Sequence, residues 1–463
     1  MLSSWRIQNF KAWQDTGAIK LAPLTVFFGE NSVGKSSLGQ LLLALKQSAA
    51  STTPQRSLDF GDEHSLVDLG SFAQNLHQGQ LTEPLAFELQ WQLTEPLLLK
   101  NVGQQAEMLV DQLCLQVSVI ADQAQQPQVQ AISYSAYHNQ QEQLSVSYHS
   151  AQGAELQVQI LQPAAHNYSI ALKDAVSSPE RFYHLDVIEQ LDAQFISALA
   201  RQTENVLAGI NGLAALRAAP QRQYAWAGES PTDVGRSGES VVAAILAANA
   251  EQRTLQFAAG QPEQIFEQGV AYWLQQMGVA SDFNIRLAPG SADQYQVLLK
   301  NHAEASEVNL ADLGFGISQL LPVIVQVFYA EPHSTVWLEQ PEIHLHSHVQ
   351  AGLADLLIAA TQAQEAGQPR NVQIIVESHS EHFLNRLQRR IAEGVISHKD
   401  VALYFCSRAG TEAQIESLDV DTYGEIAHWP DNLFGDEMTD IAARAMAAVQ
   451  RKREQIKADA EHA

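Results

Sequence analysis

Residues 29–36 read Gly-Glu-Asn-Ser-Val-Gly-Lys-Ser, a spacing that can wrap a polyphosphate. Gly29 and Gly34 permit the turns that bring backbone N–H groups together around an anion. The helix opening at Lys35 adds the positive end of its dipole. Lys35 is placed to reach β- and γ-phosphates and Ser36 to ligate magnesium, with Asn31 and Ser37 in the same loop. Both flanks fit this chemistry. "LAPLTVFFGE" before the loop is an apolar strand, and "KSSLGQLLLALKQ" after it puts Leu38, Leu41, Leu42 and Leu45 on one helical face.

A second group lies in "TVWLEQPEIHLH". Glu339 ends an apolar strand, where a carboxylate can help to hold magnesium beside Ser36. Gln340 follows, where a proton-accepting glutamate is needed for water attack on a phosphate. An amide orients water but takes no proton, and losing a positioned base commonly costs about 10²–10⁴-fold. Glu342, His344 and His346 stand close enough in sequence to offer a substitute base. In "DLGFGISQ", Gly314, Gly316 and Ser318 open an apolar helix whose amides could take the γ-phosphate of a nucleotide on a second copy. In "IIVESHSEHF", His379 follows a buried strand and could sense the γ-phosphate as a neutral imidazole. The expected catalytic set is therefore Glu339, Gln340, Glu342 and His379.

The elements that must position these groups are legible as changes of period. "SWRIQNF" and "LAPLTVFFGE" read as an opening pair of strands. From 85 to 175 a two-residue alternation (Phe87, Leu89, Trp91, Leu93, then Leu113, Leu115, Val117, Val119 and onward) predicts a β-rich antiparallel insert. Residues 176–290 read as mainly helical, interrupted by "LRAAPQRQYAWAGESPTDVGRSGES". An α/β pattern returns at 291–410, and 411–463 form a tail ending in a charged helix. Residues 1–84 and 291–410 would be the two halves of one α/β core. No sustained heptads join them, so no long coiled coil is expected.

Composition excludes several classes. The 463 residues carry 27 Lys and Arg against 52 Asp and Glu, a net charge of −25. A simple duplex-DNA binder needs the opposite surplus, so any DNA contact would come from a local patch or a partner. Two cysteines give no disulfide framework. No apolar run has membrane-spanning length, and a cytoplasmic location is expected.

Taken in order, these motifs resemble the ABC-type ATPase heads of the SMC, RecF and Rad50 group, of the AAA_21 kind: a Walker A loop, a late signature, a Walker B strand and a switch histidine. The ending "VALYFCSR…IESLDVDTYGEIAHWPDNLFGDE" resembles the C-terminal domain of unknown function 3696. The resemblance implies a P-loop core, ATP with Mg²⁺, and a homodimer or higher homo-oligomer closed through an ATP sandwich. It implies phosphate contacts from Gly29, Gly34, Lys35, Ser36 and Ser37, with Gly314, Gly316 and Ser318 as the signature and Ser36 and Glu339 on the metal. Glu339 stands for the usual Walker B aspartate, and Gln340 for the catalytic glutamate. Gln74 is the candidate for the magnesium-contacting Gln loop. Related ATPases serve anti-phage systems such as Septu and PARIS, which implies a separate nuclease or toxin effector and slow or partner-triggered hydrolysis.

Three other readings stay open at this level. Glu377 with Asp419 and Asp421 imitates the metal site of a TOPRIM nuclease, although Glu377 lies inside the switch-histidine strand. A RecF-like DNA-repair ATPase shares the same core. Glu342, His344, His346 and His348 have spacing that suits a metal site as well as an ordinary loop.

Overall fold

The computed structural model describes residues 1–430 except 52–56, 104, 153–154, 163–164, 173–178, 180, 186–193 and 411, together with 446–447. Apart from residues 446–447, the expected tail helix lies outside these residues.

Three apolar strands with every residue buried, Leu24–Gly29, Thr335–Glu339 and Gln373–Glu377, form the centre of a six-stranded sheet. Burial on both faces is what such continuous apolar runs require. The sheet runs Ile210–Leu213, Thr335–Glu339, Gln373–Glu377, Leu24–Gly29, Val401–Ala409, Glu412–Ser417. The first five strands are parallel and the last is antiparallel. Glu339 pairs with Glu377, and Glu377 with Phe27, so the carboxyl ends of three neighbouring strands lie side by side. Open α/β sheets bind ligands at that edge. The strand Ile210–Leu213 was not evident in the sequence, because four residues reading Ile-Asn-Gly-Leu show no period.

The alternating segments form a meander of long antiparallel strands, from Leu85–Val102 and Gln105–Ala121 to His166–Ala171. Both expected opening strands are present, but they belong to different sheets. Leu2–Phe10 pairs with Leu85–Val102 and belongs to the meander sheet, whereas Leu24–Gly29 belongs to the parallel one. The reason is pattern: Leu2–Phe10 alternates buried and half-buried residues, while Leu24–Gly29 is buried throughout.

Helix Lys35–Ala50 lies between the two sheets. Its Leu38, Leu41, Leu42 and Leu45 share one apolar cluster with Trp5, Leu89, Trp91 and Leu113 of the meander and with Trp337 and Ile375 of the parallel sheet. The other face of the parallel sheet is covered by helices Val241–Ala250, Phe266–Gln276, Phe315–Tyr329, Ser347–Gln362 and Glu381–Ala392. The result is an α/β head with a P-loop core, an antiparallel β-rich addition and a helical addition. Among the described residues no helix exceeds 16 residues, so no long coiled coil is present there. None is long and apolar enough to cross a membrane.

Candidate nucleotide site

The loop after Leu24–Gly29 needs both of its glycines. Gly29 has φ +137°, and a Cβ on it would lie 2.0 Å from the Cys406 carbonyl oxygen. Gly34 has φ +112° and caps helix Lys35–Ala50 without any side-chain hydrogen bond. The N–H groups of Lys35 and Ser36 are left for a ligand, while that of Ser37 donates to the Gly34 carbonyl at 3.1 Å. Glu30, Asn31 and Ser32 are exposed at the crown. Lys35 is buried, its Nζ donating to the carbonyls of Gly29 at 3.0 Å and Glu30 at 2.6 Å. Burial pulls its pKa down against the pull of Glu377, Cys406, Glu342 and Glu30. An ammonium holding only neutral carbonyls is ready to exchange them for phosphate.

Ser37 and Gln74 have other work. The Ser37 hydroxyl donates to the Gly34 carbonyl at 2.5 Å and accepts the Trp13 indole N–H at 3.0 Å, so it braces the loop from below. Gln74 is exposed and its Oε1 accepts the Ser71 amide, capping the short helix Phe72–Asn75. A cap three residues on is the ordinary use of Gln after Ser.

At the neighbouring strand ends the carboxylates differ in their partners. Glu339 Oε1 accepts the Arg236 guanidinium at 2.5 Å, and its backbone oxygen accepts Arg217 at 2.9 Å. Gln340 has φ +43°, a strained value for a non-glycine residue. Its amide Nε2 points to Glu377 Oε1 at 3.4 Å, and its N–H donates to the Glu377 carbonyl at 2.8 Å. Glu377 is 2% exposed, with Ser36 beside it. Burial pushes Glu377 up; Ser36 and Lys35 hold it down, Glu339 adds to the rise, and Gln340 opposes it.

Glu342 Oε1 accepts the His379 backbone N–H at 2.6 Å. Burial raises the Glu342 pKa, against hydrogen bonds from His379, its own backbone and Ser378 and the charge of Arg217. With one oxygen so engaged, Glu342 fixes the histidine loop. The His379 ring lies near the Gly29 backbone and Lys35; burial and the lysine charge pull its pKa down to about 4. It is therefore neutral at physiological pH.

Gly314, Gly316 and Ser318 sit at the mouth of helix Phe315–Tyr329, against the loop that follows Glu339. A Cβ on Gly316 would lie 3.1 Å from the His344 carbonyl, while Gly314 faces open space. Phe315, half exposed, meets the His344 ring edge-on at 5.0 Å between centroids. The Ser318 hydroxyl turns inward to the Phe315 carbonyl at 2.7 Å, so in this conformation it offers nothing across an interface.

Sequence reasoning missed Arg217 and Arg236, which come from the aperiodic stretch before Val241 and grip Glu339. It also missed Trp13 and Arg408, whose guanidinium holds the Ser32 carbonyl at 2.8 Å. The only available signal was three arginines in a Gly/Pro stretch. The residues do fit a magnesium nucleotide: free helix amides, a replaceable lysine, a serine hydroxyl and two strand-end carboxylates converge on one edge.

The other two constellations do not converge. Asp419 follows the edge strand Glu412–Ser417, three strands from Gln373–Glu377, about 14 Å across at roughly 4.8 Å per strand. Asp421 Oδ1 accepts the amides of Tyr423 and Glu425 in a turn. Glu377, Asp419 and Asp421 therefore cannot share one metal. Among the described residues no three His, Cys, Asp or Glu side chains gather to hold an ion, which includes Glu342, His344, His346 and His348.

Comparison with known proteins agrees with this geometry. Residues 240–384, which include Gly314, Gly316, Ser318, Glu339, Gln340 and His379, match the family AAA_15, an AAA ATPase domain. Residues 396–443 match the protein family of unknown function DUF3696. The first segment is thus similar to an AAA ATPase domain and the second to DUF3696. No curated protein matches the sequence. Similar solved structures include an SMC head bound to the C-winged helix domain of ScpA, at 9% identity over 90% of this chain and 98% of that one, TM-score 0.39. Another is the SMC head domain from Thermotoga maritima, at 11% identity over 90% and 99%, TM-score 0.36. A third, an Smc head with an extended coiled coil bound to the C-terminal domain of ScpA, derived from Pyrococcus furiosus, has 10% identity over 98% and 99%, TM-score 0.37.

Proposed function

We propose that the chain is an ATP-gated switch: it binds ATP with Mg²⁺, hydrolyses it slowly, and closes against a second copy to control a separate effector. One observation carries this reading. The 29–36 loop, Ser36, Glu339, Gln340, Glu377 and the neutral His379 meet at the carboxyl edge of a single parallel sheet.

Phosphates would replace the Gly29 and Glu30 carbonyls on Lys35 and take the free amides of helix Lys35–Ala50. Magnesium, when bound, neutralises charge on the phosphates, with Ser36 and a strand-end carboxylate as its holders. Hydrolysis joins a water oxygen to the γ-phosphorus, breaks the bond to the bridging oxygen, and yields ADP and phosphate. Gln340 can orient that water but cannot take its proton, which favours a long-lived ATP state. The signature loop Gly314–Ser318, partly exposed beside His344, is the face for the second copy, giving a homodimer or higher oligomer. A nuclease or toxin subunit, as in anti-phage systems, suits the −25 charge and the absence of a converging nuclease site among the described residues.

The test is phosphate release by the full chain alone and after co-purification with the products of neighbouring genes, with light scattering in ATP. Slow release, ATP-dependent association and acceleration by a co-purified effector are expected. Fast release by a chain that stays monomeric in ATP would contradict the proposal.

A further inference from the structure

The two strand-end carboxylates are not equivalent. Glu339 already has a cation on its carboxylate, Arg236 on Oε1 at 2.5 Å, and a second, Arg217, on its backbone oxygen at 2.9 Å. Glu377 is deeper, 2% exposed, and its Oε2 has no hydrogen-bond partner. It also stands one strand nearer the loop, in register with Phe27 of the strand that leads into Gly29. Its Oε1 is steered by the Gln340 amide at 3.4 Å, and Ser36 stands beside the carboxylate.

A buried carboxylate oxygen is left bare only where a cation or water completes it. With Ser36 beside this carboxylate, a hydroxyl proton turned to Glu377 would leave the lone pairs of the Ser36 oxygen to face a metal.

We propose that Glu377, and not Glu339, is the carboxylate that supports magnesium beside Ser36, with Glu339 serving to anchor Arg236 and Arg217 behind the site. This rests on the nucleotide reading given above. Moving the metal-side carboxylate onto the switch-histidine strand ties metal occupancy to the segment that carries His379, two residues away. It also gives Gln340 a reason to be an amide: a glutamate there would set two carboxylates 3.4 Å apart, whereas Gln340 donates to Glu377 and fixes its orientation.

The test compares affinity for a fluorescent ATP analogue in Mg²⁺ and in EDTA, on the full chain and on Glu377→Gln and Glu339→Gln. Glu377→Gln should lose about 10–100-fold of the magnesium-dependent gain, the usual cost of removing a partner behind a metal ligand. Its affinity in EDTA should equal or exceed that of the unaltered chain, because a negative charge has left the phosphate site; that value also certifies the fold. Glu339→Gln should keep most of the gain. Electron paramagnetic resonance of Mn²⁺ with ADP should change its line shape in Glu377→Gln alone. Retention of the gain in Glu377→Gln, or equal loss in Glu339→Gln, overturns the assignment. An unaltered chain that binds no analogue in either medium overturns the nucleotide reading instead, a separate result.

Discussion

Replacing Gln340 by Glu puts a carboxylate where the amide Nε2 now meets Glu377 Oε1 at 3.4 Å. Two unit charges at that distance repel by about 5 kcal/mol at an effective dielectric constant near 20. Arg217, Arg236 and Lys35 lie close enough to offset part of this, so a net loss on the order of 2 kcal/mol is expected in the nucleotide-free protein, within the common range for a single substitution. The sign with pH follows. The pair takes up a proton more readily folded than unfolded, so its folded pKa is raised. The variant should then match the parent at pH 5 and fall behind as pH rises toward 8. With Mg-ATP bound the added carboxylate has a water to activate, and basal turnover should rise, by up to about 10²-fold if proton acceptance is what limits it. Thermal unfolding of Gln340→Glu and its parent at pH 5 and 8, with phosphate release at pH 7.5, reads both effects. Equal stability at pH 8, or a loss that does not depend on pH, would refute the geometry on which the argument stands.

Gly39→Ala should destabilise by about 1–3 kcal/mol in a melting experiment, because its Cβ would stand 2.2 Å from the Trp337 ring; the helix-propensity gain of about 1 kcal/mol is the smaller effect. His379, held down to about 4 by burial and Lys35, binds a proton later than it would unfolded, so its contribution is intact above about pH 6.5 and is lost as pH falls toward 4. His379→Gln should flatten that part of the stability profile, measured by unfolding between pH 4 and 7. Gly314→Trp, at a position open to solvent, should abolish ATP-dependent association in light scattering while leaving analogue binding within about twofold, because the change touches no group of the phosphate loop; substitution at Gly316 is less clean, because its Cβ would press on the His344 carbonyl.

The phosphate loop, the strand ending at Glu339 and His379 were legible because each is written in consecutive residues: a glycine spacing, a buried strand, a residue just past its end. The head fold followed from the same local patterns. What stayed hidden depends on distant pairing. Arg217 and Arg236 reach Glu339 from more than a hundred positions away, out of a segment with no period. Leu2–Phe10 looks like a partner for the next strand until the burial of each is known. Glu377 was visible as an acid in a strand, but its meaning lay in the register that sets it beside Ser36 rather than near Asp419. Ser37 and Ser318 show the reverse: both fit a motif, and both turn their hydroxyls to backbone carbonyls.

The central claim is that residues 29–36 bind ATP, and calorimetric titration of the full chain with Mg-ATP tests it most directly, with Lys35→Ala beside it. The account predicts one site per chain. Lys35→Ala should lose at least about tenfold in affinity, since a hydrogen bond to a charged group contributes about 1.5–3 kcal/mol and each decade is about 1.4. Circular dichroism should show Lys35→Ala still folded, because its Nζ hydrogen bonds are to the Gly29 and Glu30 carbonyls of the same loop. No binding by the unaltered chain, or equal affinity in Lys35→Ala, would contradict it.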